Sequence, residues 1–452
     1  MLRTQRQPLL WVCIAVLFVL ALLAAARTVP LTLENTGSYD LHAYWYFGHF
    51  VRQGQNPYQA FVERPPLALP IHYLDGRTVT AEPVMQPNLG VHVPNTAPMM
   101  LLLSGLSWFS WPVAKAIWLV CNVVFTAAVP WLILALLPAS LRLPRTGQWL
   151  VAGLFYLLKA PRLVTVVGQT SLCVLFLMLA AVLVRKRSWL LSGLLLGVAV
   201  SKYSLALPAA LWLLIDRRYL VLGTALAVQV AGLLLISSLG TYSPLETVAV
   251  YIKLMVEHVG EEGIHIAYFT AQHRMLGNLL VAGGSLILLW RLCRWWWRAQ
   301  PVEDADVLPV MTVLSLWTLL AAYHRSYDVI LVGLFLVLGS AMVWHARLPV
   351  RQVRAVVAFM AVAMVVLCLP MGTLRGIVPS RVCDEWLLPV ERASTTLTLL
   401  AMLGVSTWFL EAGSYREAGD SMKPVDTGET RRGSLSASAF GRTPREADNV
   451  SS

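Results

Sequence analysis

The chain has 452 residues, 57% of them hydrophobic and 13% charged, with a formal net charge of +11 and a mean hydropathy of +0.65. Soluble domains carry about 25% charged residues, so this composition excludes a soluble enzyme and indicates an integral membrane protein. The basic surplus does not indicate a nucleic-acid partner, because the arginines fall mostly between apolar runs and in the C-terminal tail, where they report membrane topology.

A bilayer core of roughly 30 Å needs about 20 apolar residues in a helix. Such runs occur at 9–26, 115–137, 148–166, 169–184, 219–240, 276–293, 307–322, 327–345, 353–370 and 394–410. They predict an all-α fold, a polytopic bundle of about 10–13 membrane helices over residues 1–410. The first run follows Arg3 and Arg6 and ends in small residues like a signal peptide, but its length and the many spans after it read as a retained anchor. Residues 27–97 then form a loop too long for a connector, in which 40–53 places Leu41, Tyr44, Trp45, Phe47 and Phe50 at helical spacing, a pattern suited to lying along the membrane interface. The segment 98–110 is short of a full span. The run 189–215 is interrupted at "SKYS" and flanked at both ends by arginines, which predicts a hairpin of two short helices with Lys202 near its outer apex. The competing reading is one long helix with Lys202 buried mid-membrane, costly by about 2.5 kcal/mol or more unless the residue is paired or faces water.

Basic clusters at Arg3 and Arg6, Arg142 and Arg145, Arg185 to Arg187, Arg217 and Arg218, Arg291 to Arg298, and Arg347 to Arg354 mark one face as cytoplasmic. Both termini then lie on that face, and 27–97, 241–275 and 323–326 lie outside. The stretch "SPLETVAVYIKLMVEHVGEEG" reads as a second interfacial helix. Residues 411–452 are polar and lack large apolar groups, the composition of a disordered cytoplasmic tail. Five of the six cysteines (Cys13, Cys121, Cys173, Cys293 and Cys368) lie in apolar runs as small hydrophobes. Cys383 sits in a loop, and there is no CxxC and no disulfide framework.

The sequence has no phosphate-cradling glycine loop, no HExxH, no GxSxG elbow and no DxD acid pair. Its polar candidates gather instead at the predicted outer ends of helices: Asp40 in "TGSYDLHAYWYFGHF", "GQNPY" at 54–58, "VGQTS" at 167–171, Lys202 in "SKYS", and "AYHRSYD" at 322–328. Transfer from a lipid-linked phosphate needs such a set: a base for the attacking hydroxyl, cations for the departing phosphate and an apolar groove. Each residue also has a plainer reading. Asp40 suits a solvated helix cap, and its aromatic neighbours an interfacial belt. Lys202 suits a side chain snorkelling to headgroups. His324, Arg325 and Asp328 suit a local ion pair, and "GQNPY" is first a turn.

The order of these motifs, "SYDLHAYWYFGHFVRQGQNPY", "HVPNTAPMMLLL", "GQTSLCVLFLMLAAVLV", "WLLSGLLLGVAVSKYSLALPAALWLLIDRRY" and "YHRSYDVILV", resembles glycosyltransferase family 87 over most of residues 1–345. The resemblance implies a multispanning C-type membrane fold and an inverting transferase, metal-independent in many relatives. Such an enzyme moves a hexose, mannose in the family, from a polyprenyl-phosphate carrier to a lipid or glycan acceptor on the outer face of the cytoplasmic membrane. It implies Asp40 as catalytic base, with Lys202 on the family's lysine position and His324 with Asp328 on its late polar motif; Tyr39, His42, Tyr44, Gln169 and Arg325 join them as expected substrate contacts by their place in the sequence, with no metal or other cofactor expected. Its partners are the lipid-linked donor, the acceptor and membrane lipids. Two departures stand out: "HVPNTAP" where relatives commonly show Tyr-Pro-Pro, and Lys-Tyr at 202–203 where Lys-Pro is frequent. A transporter or flippase of lipid-linked sugar is the alternative; it predicts a midplane cavity and often an internal repeat, and no repeat is visible. A non-catalytic envelope scaffold is the third reading.

Overall fold

A computed structural model describes residues 6–34, 38–63, 69–72, 78–81, 95–258, 266, 274–298, 303–322, 324–345, 349–368 and 388–412. The expected loop around Cys383 and the tail from 413 onward lie outside them. The chain begins with helix α1 (Arg6–Leu33), followed by α2 (Tyr39–Arg52) and α3 (Pro57–Glu63). A small antiparallel hairpin, β1 (Leu69–His72) with β2 (Thr78–Ala81), interrupts the otherwise helical chain. The bundle continues through α4 (Ala97–Ser104), α5 (Trp111–Ala135), α6 (Arg145–Leu157), α7 (Lys159–Val167), α8 (Ser171–Val184), α9 (Trp189–Ala199), α10 (Tyr203–Ile215), α11 (Tyr219–Ser237) and α12 (Pro244–His258). It closes with α13 (Arg274–Arg298), α14 (Val307–Ala321), α15 (Val332–Trp344), α16 (Val350–Cys368) and α17 (Leu388–Ala412).

Among the described residues nine helical runs are long and apolar enough to cross a membrane, so the chain is an integral membrane protein with a polytopic helical bundle. The segments 304–321 and 326–344 are the most enclosed, and α1 and α13 the most open to lipid. The expected run at 148–166 is broken: α6 and α7 meet at a bend of 49°. Pro161 explains the break, because its missing N–H would leave the Leu157 carbonyl without its helical donor. The Arg162 guanidinium covers that carbonyl at 3.3 Å and the Leu158 carbonyl at 3.5 Å.

The run 189–215 is the expected hairpin. Its 27 residues form one continuous helical stretch, which if straight would hold its ends about 40 Å apart. Instead Arg185, just before it, bonds Asp216, just after it, at 2.8 Å. The chain reverses at a 3₁₀ turn over Val200–Lys202, where Lys202 takes φ −111° and ψ 72°. At the other end of the arms Arg185 also bonds Asp304 at 2.5 Å and Lys186 bonds the same carboxylate at 2.6 Å. This clasp ties the ends of α8 and α10 to the start of the α14 segment.

The aromatic face of α2 is turned to protein: Leu41 and Tyr44 are fully buried, and Trp45, Phe47 and Phe50 nearly so. Protein covers them because α4 and the 3₁₀ turn Gly105–Trp108 pack directly on α2. Gly48 permits that approach, since a Cβ there would stand 3.0 Å from the Ser104 Cα. Trp45 Nε1 donates to the Phe109 carbonyl at 2.9 Å, and Arg52 donates to the Ser107 carbonyl at 3.0 Å.

The hairpin is testable by labelling in a variant whose native cysteines are replaced by serine. Arg187→Cys and Arg217→Cys are expected to react with an impermeant maleimide from the same side of sealed vesicles. Reaction from opposite sides would show a single crossing.

Candidate functional site

The site is built where two chain reversals touch. Lys115 of α5 donates to the Leu33 and Glu34 carbonyls at 2.9 and 3.0 Å, a cation on the exposed carbonyls of the α1 C-terminus. Ser38 then adopts the left-handed conformation, φ 60°, and its N–H donates to the Val166 carbonyl of α7 at 2.8 Å. Helix α7 ends at Gly168, φ 75°. A Cβ on Gly168 would meet the Leu41 Cβ at 2.8 Å and the Ser38 Cα at 3.1 Å, so only glycine satisfies both the positive φ and the close approach.

This contact brings together the next side chains along each strand of the crossing. Gln169 Nε2 donates to Asp40 Oδ2 at 2.7 Å and to the Tyr327 hydroxyl at 3.0 Å. Gln169 Oε1 accepts from the Thr170 N–H at 3.2 Å. Both amide donors are therefore spent on protein, so Gln169 acts here as a holder of Asp40.

A second aspartate anchors the other half. Asp328, in the 3₁₀ turn Ser326–Leu331, accepts at Oδ1 from Lys202 Nζ at 2.7 Å and from Ser171 Oγ at 2.8 Å. Lys202 also donates to Ser171 Oγ at 2.6 Å, and its ammonium lies 4.9 Å from the centroid of the Tyr327 ring, a cation–π contact. The carboxylate thus sits over the first residue of α8, where a helix favours negative charge. His324 Nδ1 lies 3.1 Å from Asp328 Oδ2, which assigns the ring proton to Nδ1. The buried His324 Nε2 has no partner among the described residues.

The two aspartates differ in surroundings. Burial pushes the Asp40 carboxyl up to about 6, against the opposing pull of the Gln169 hydrogen bond and the charges of Arg325 and Lys202; the Asp328 charge adds to the rise. Asp40 is thus poised to hold or release a proton near neutrality, whereas Asp328 is locked between a cation, a hydroxyl and an imidazole.

Five of the predicted residues, Gln169, Lys202, His324, Arg325 and Asp328, therefore gather around Asp40, carried by the 169–171 turn, the hairpin apex and the turn after α14. His42 does not join them. Two positions past Asp40 on α2, it faces away, its ring centroid 5.0 Å from that of Trp111 and 5.7 Å from that of Trp45. Burial, then His49 and Lys115, push it down to about 4, so it is neutral. Tyr44 lies behind the site, fully buried, with its hydroxyl bonded to Asn95 and 3.4 Å from Thr170 Oγ1; burial raises its phenol above the usual range. Tyr39 opens α2, and its side chain lies outside the described residues. Four polar neighbours were not singled out from the sequence: Ser171, Tyr327, Thr170 and Asn95. All four stand inside motifs already noted: Thr170 and Ser171 in "VGQTS", Tyr327 in "AYHRSYD" and Asn95 in "HVPNTAP". Among the described residues no three His, Cys, Asp or Glu side chains are grouped to hold a metal ion.

Residues 95–370, more than half of the chain, match the profile of glycosyltransferase family 87. The matched region includes Gln169, Ser171, Lys202, His324, Arg325 and Asp328, and begins after Asp40. No curated protein matches the chain.

The Ser38–Gly168 contact sets an expectation. Gly168→Ala should destabilise the protein by about 1–3 kcal/mol, the cost of holding a residue with a Cβ in a disfavoured conformation, with displacement of Leu41 in addition. A lowered melting temperature in detergent is the readout; an unchanged one would remove this contact as a constraint on the fold.

Proposed function

Because the chain belongs to glycosyltransferase family 87 and is an integral membrane protein, we propose that it transfers a hexose, mannose in the first instance, from a polyprenyl-phosphate carrier to the hydroxyl of a lipid or glycan acceptor, with Asp40 as base. The reaction would take place on the outer face of the cytoplasmic membrane. Asp40 takes the proton of the acceptor hydroxyl as its oxygen attacks the anomeric carbon. The bond from that carbon to the carrier phosphate breaks on the opposite face of the sugar, and the phosphate leaves with the bonding pair, inverting the anomeric centre. Arg325 and Lys202, whose fields reach Asp40, offset the charge that develops on the phosphate. The remaining substrate contacts fall to Tyr39, His324 and Tyr327.

The observation that carries this reading is the state of Asp40. Among the described residues it accepts a hydrogen bond from a neutral amide, that of Gln169, and burial raises it to about 6, so it is both a ready acceptor at neutral pH and a strong enough base to be useful. Gln169, Tyr44 and His42, first expected to touch substrate, are better explained as supports of this carboxylate and of α2.

Purified protein incubated with polyprenyl-phosphate-mannose and a membrane lipid extract is expected to give a mannosylated product detectable by mass spectrometry. Asp40→Asn should fold and lose transfer by about 10²–10⁴-fold, the usual worth of a general base; wild-type turnover in that variant would sink the assignment.

The pH dependence has a definite sign. The base works when deprotonated, so kcat/KM should fall as pH drops through about 6. Folding stability should run the other way. An acid whose folded pKa is raised stabilises the fold most when protonated, below the unfolded value of 3.8, and that contribution is lost as pH rises through about 6. Asp40→Asn is therefore expected to melt above wild type at pH 8 and to lose that advantage near pH 4.

A further inference from the structure

Behind the Asp40–Gln169 pair lies a fully enclosed polar cluster of Tyr44, Tyr58, Asn95 and Thr170, each no more than 3% exposed. Tyr58 lies in α3, where the chain leaves for the long loop, and Asn95 lies where it returns, one residue before the cap of α4. The Tyr58 hydroxyl donates to the Asn95 carbonyl at 2.7 Å, closing the base of that excursion. The Asn95 side chain then donates to the Tyr44 hydroxyl and, at 3.2 Å, to Thr170 Oγ1. Asn56 fixes α3 in turn, accepting from the Tyr58 N–H at 2.9 Å and donating to Thr247 Oγ1 of α12 at 3.1 Å.

The connection to the carboxylate is geometric. Asp40 and Tyr44 are four residues apart on one face of α2, and they are bonded to consecutive residues of the 169–170 turn, Gln169 and Thr170. Thr170 is held through its hydroxyl by Asn95 and holds the Gln169 carboxamide through its own N–H. The amide group that faces Asp40 is thus oriented by Thr170, which is itself held by Asn95, the residue whose carbonyl closes the base of the loop. The Asn95 amide bonds both the Tyr44 and the Thr170 hydroxyls, which lie 3.4 Å from each other, so the three polar groups form one closed, buried network.

We infer that Asn95 is a positioning residue for the transfer reaction: by joining the base of the outer loop to Thr170 and Tyr44, it fixes the orientation of Gln169 and through it of Asp40. The inference rests on Asp40 being the base. Loss of the Asn95 carboxamide loosens Thr170, whose N–H is one of the partners that orient the Gln169 amide, so the cost falls on turnover and on the proton affinity of Asp40, and donor binding is spared.

The test is a double-mutant cycle on the full-length protein with Asn95→Ala, Gln169→Leu and the pair, scored by kcat, KM for polyprenyl-phosphate-mannose, and the acid limb of kcat/KM. The groups that face Asp40, namely Arg325, Lys202 and Asp328, are unchanged in all of them. Asn95→Ala should lower kcat by about 10- to 100-fold, as expected for a displacement near 1 Å at the reacting group, with KM nearly unchanged. Its acid limb should move to higher pH, because the Gln169 hydrogen bond that lowers the Asp40 pKa is weakened. In the Gln169→Leu background the same substitution should do little more. Additive losses, an unmoved limb, or a loss confined to KM would overturn the inference while leaving Asp40 as the base; active Asp40→Asn would instead remove the premise. If Asn95→Ala does not fold, Tyr58→Phe removes only the bond that closes the loop and should shift kcat and the limb in the same direction by a smaller amount; no shift overturns the inference equally.

Discussion

The ion pair between Lys202 and Asp328 is the constraint on which the site depends. An unpaired lysine among membrane helices costs about 2.5 kcal/mol or more, and an aspartate in the same place is no cheaper. Each is tolerable because the other is 2.7 Å away, with Ser171 and His324 taking up further bonding capacity of the carboxylate. Three separate segments are thereby forced to one point: the start of α8, the apex of the α9–α10 hairpin and the turn after α14. The clasp of Arg185, Asp216 and Asp304 at the far end of the same helices fixes their other ends, so the hairpin is pinned at both tips.

Asp40 occupies a complementary environment a short distance away. Asp328 faces fixed charge and is fully engaged, whereas Asp40 faces an amide and is held by a bond that a substrate can share. The same residue type is thus engaged by a cation, a hydroxyl and an imidazole in one position and by a neutral amide in the other, a contrast of surroundings that suits the base proposed for Asp40. The contrast originates in the backbone: Ser38 and Gly168, both at positive φ, allow α2 and α7 to approach until Asp40 and Gln169 meet.

Much of this arrangement can be read from residue order, and the exceptions have physical causes. The arginines flanking 189–215 announce a hairpin because a charge at each end of an apolar run cannot be accommodated by one crossing with both ends on the same side. The polar stretches "VGQTS", "SKYS" and "AYHRSYD" announce a site because polar groups near apolar helix ends are costly and therefore few. What periodicity does not convey is the identity of the neighbour. The aromatic face of α2 has the pattern of an interfacial helix, and only the packing of α4 shows that protein takes the place of lipid. The break before Pro161 is visible as a proline, but its 49° bend depends on Arg162 satisfying the exposed carbonyls. The stretch "HVPNTAP" stands out in the sequence, but the partners of Asn95 do not, because Tyr44, Tyr58 and Thr170 are distant in the chain.

The lengths of the hairpin arms carry a consequence for how substrates arrive. Arms of 11 and 13 residues reach about 16–20 Å, well short of the roughly 30 Å depth of an acyl core. Placing the arginine clasp at one membrane surface, as the basic clusters suggest, would set the Lys202 apex below the level of the opposite headgroups, at the height of the hydrocarbon. In the proposed reaction, a donor that carries its own hydrocarbon chain would meet the site by sliding in the plane of the bilayer, so its encounter would be a search in two dimensions, governed by surface density and lateral mobility. A glycan acceptor for the same proposed reaction would have to come down from water to meet it, and transfer would happen where those two routes intersect.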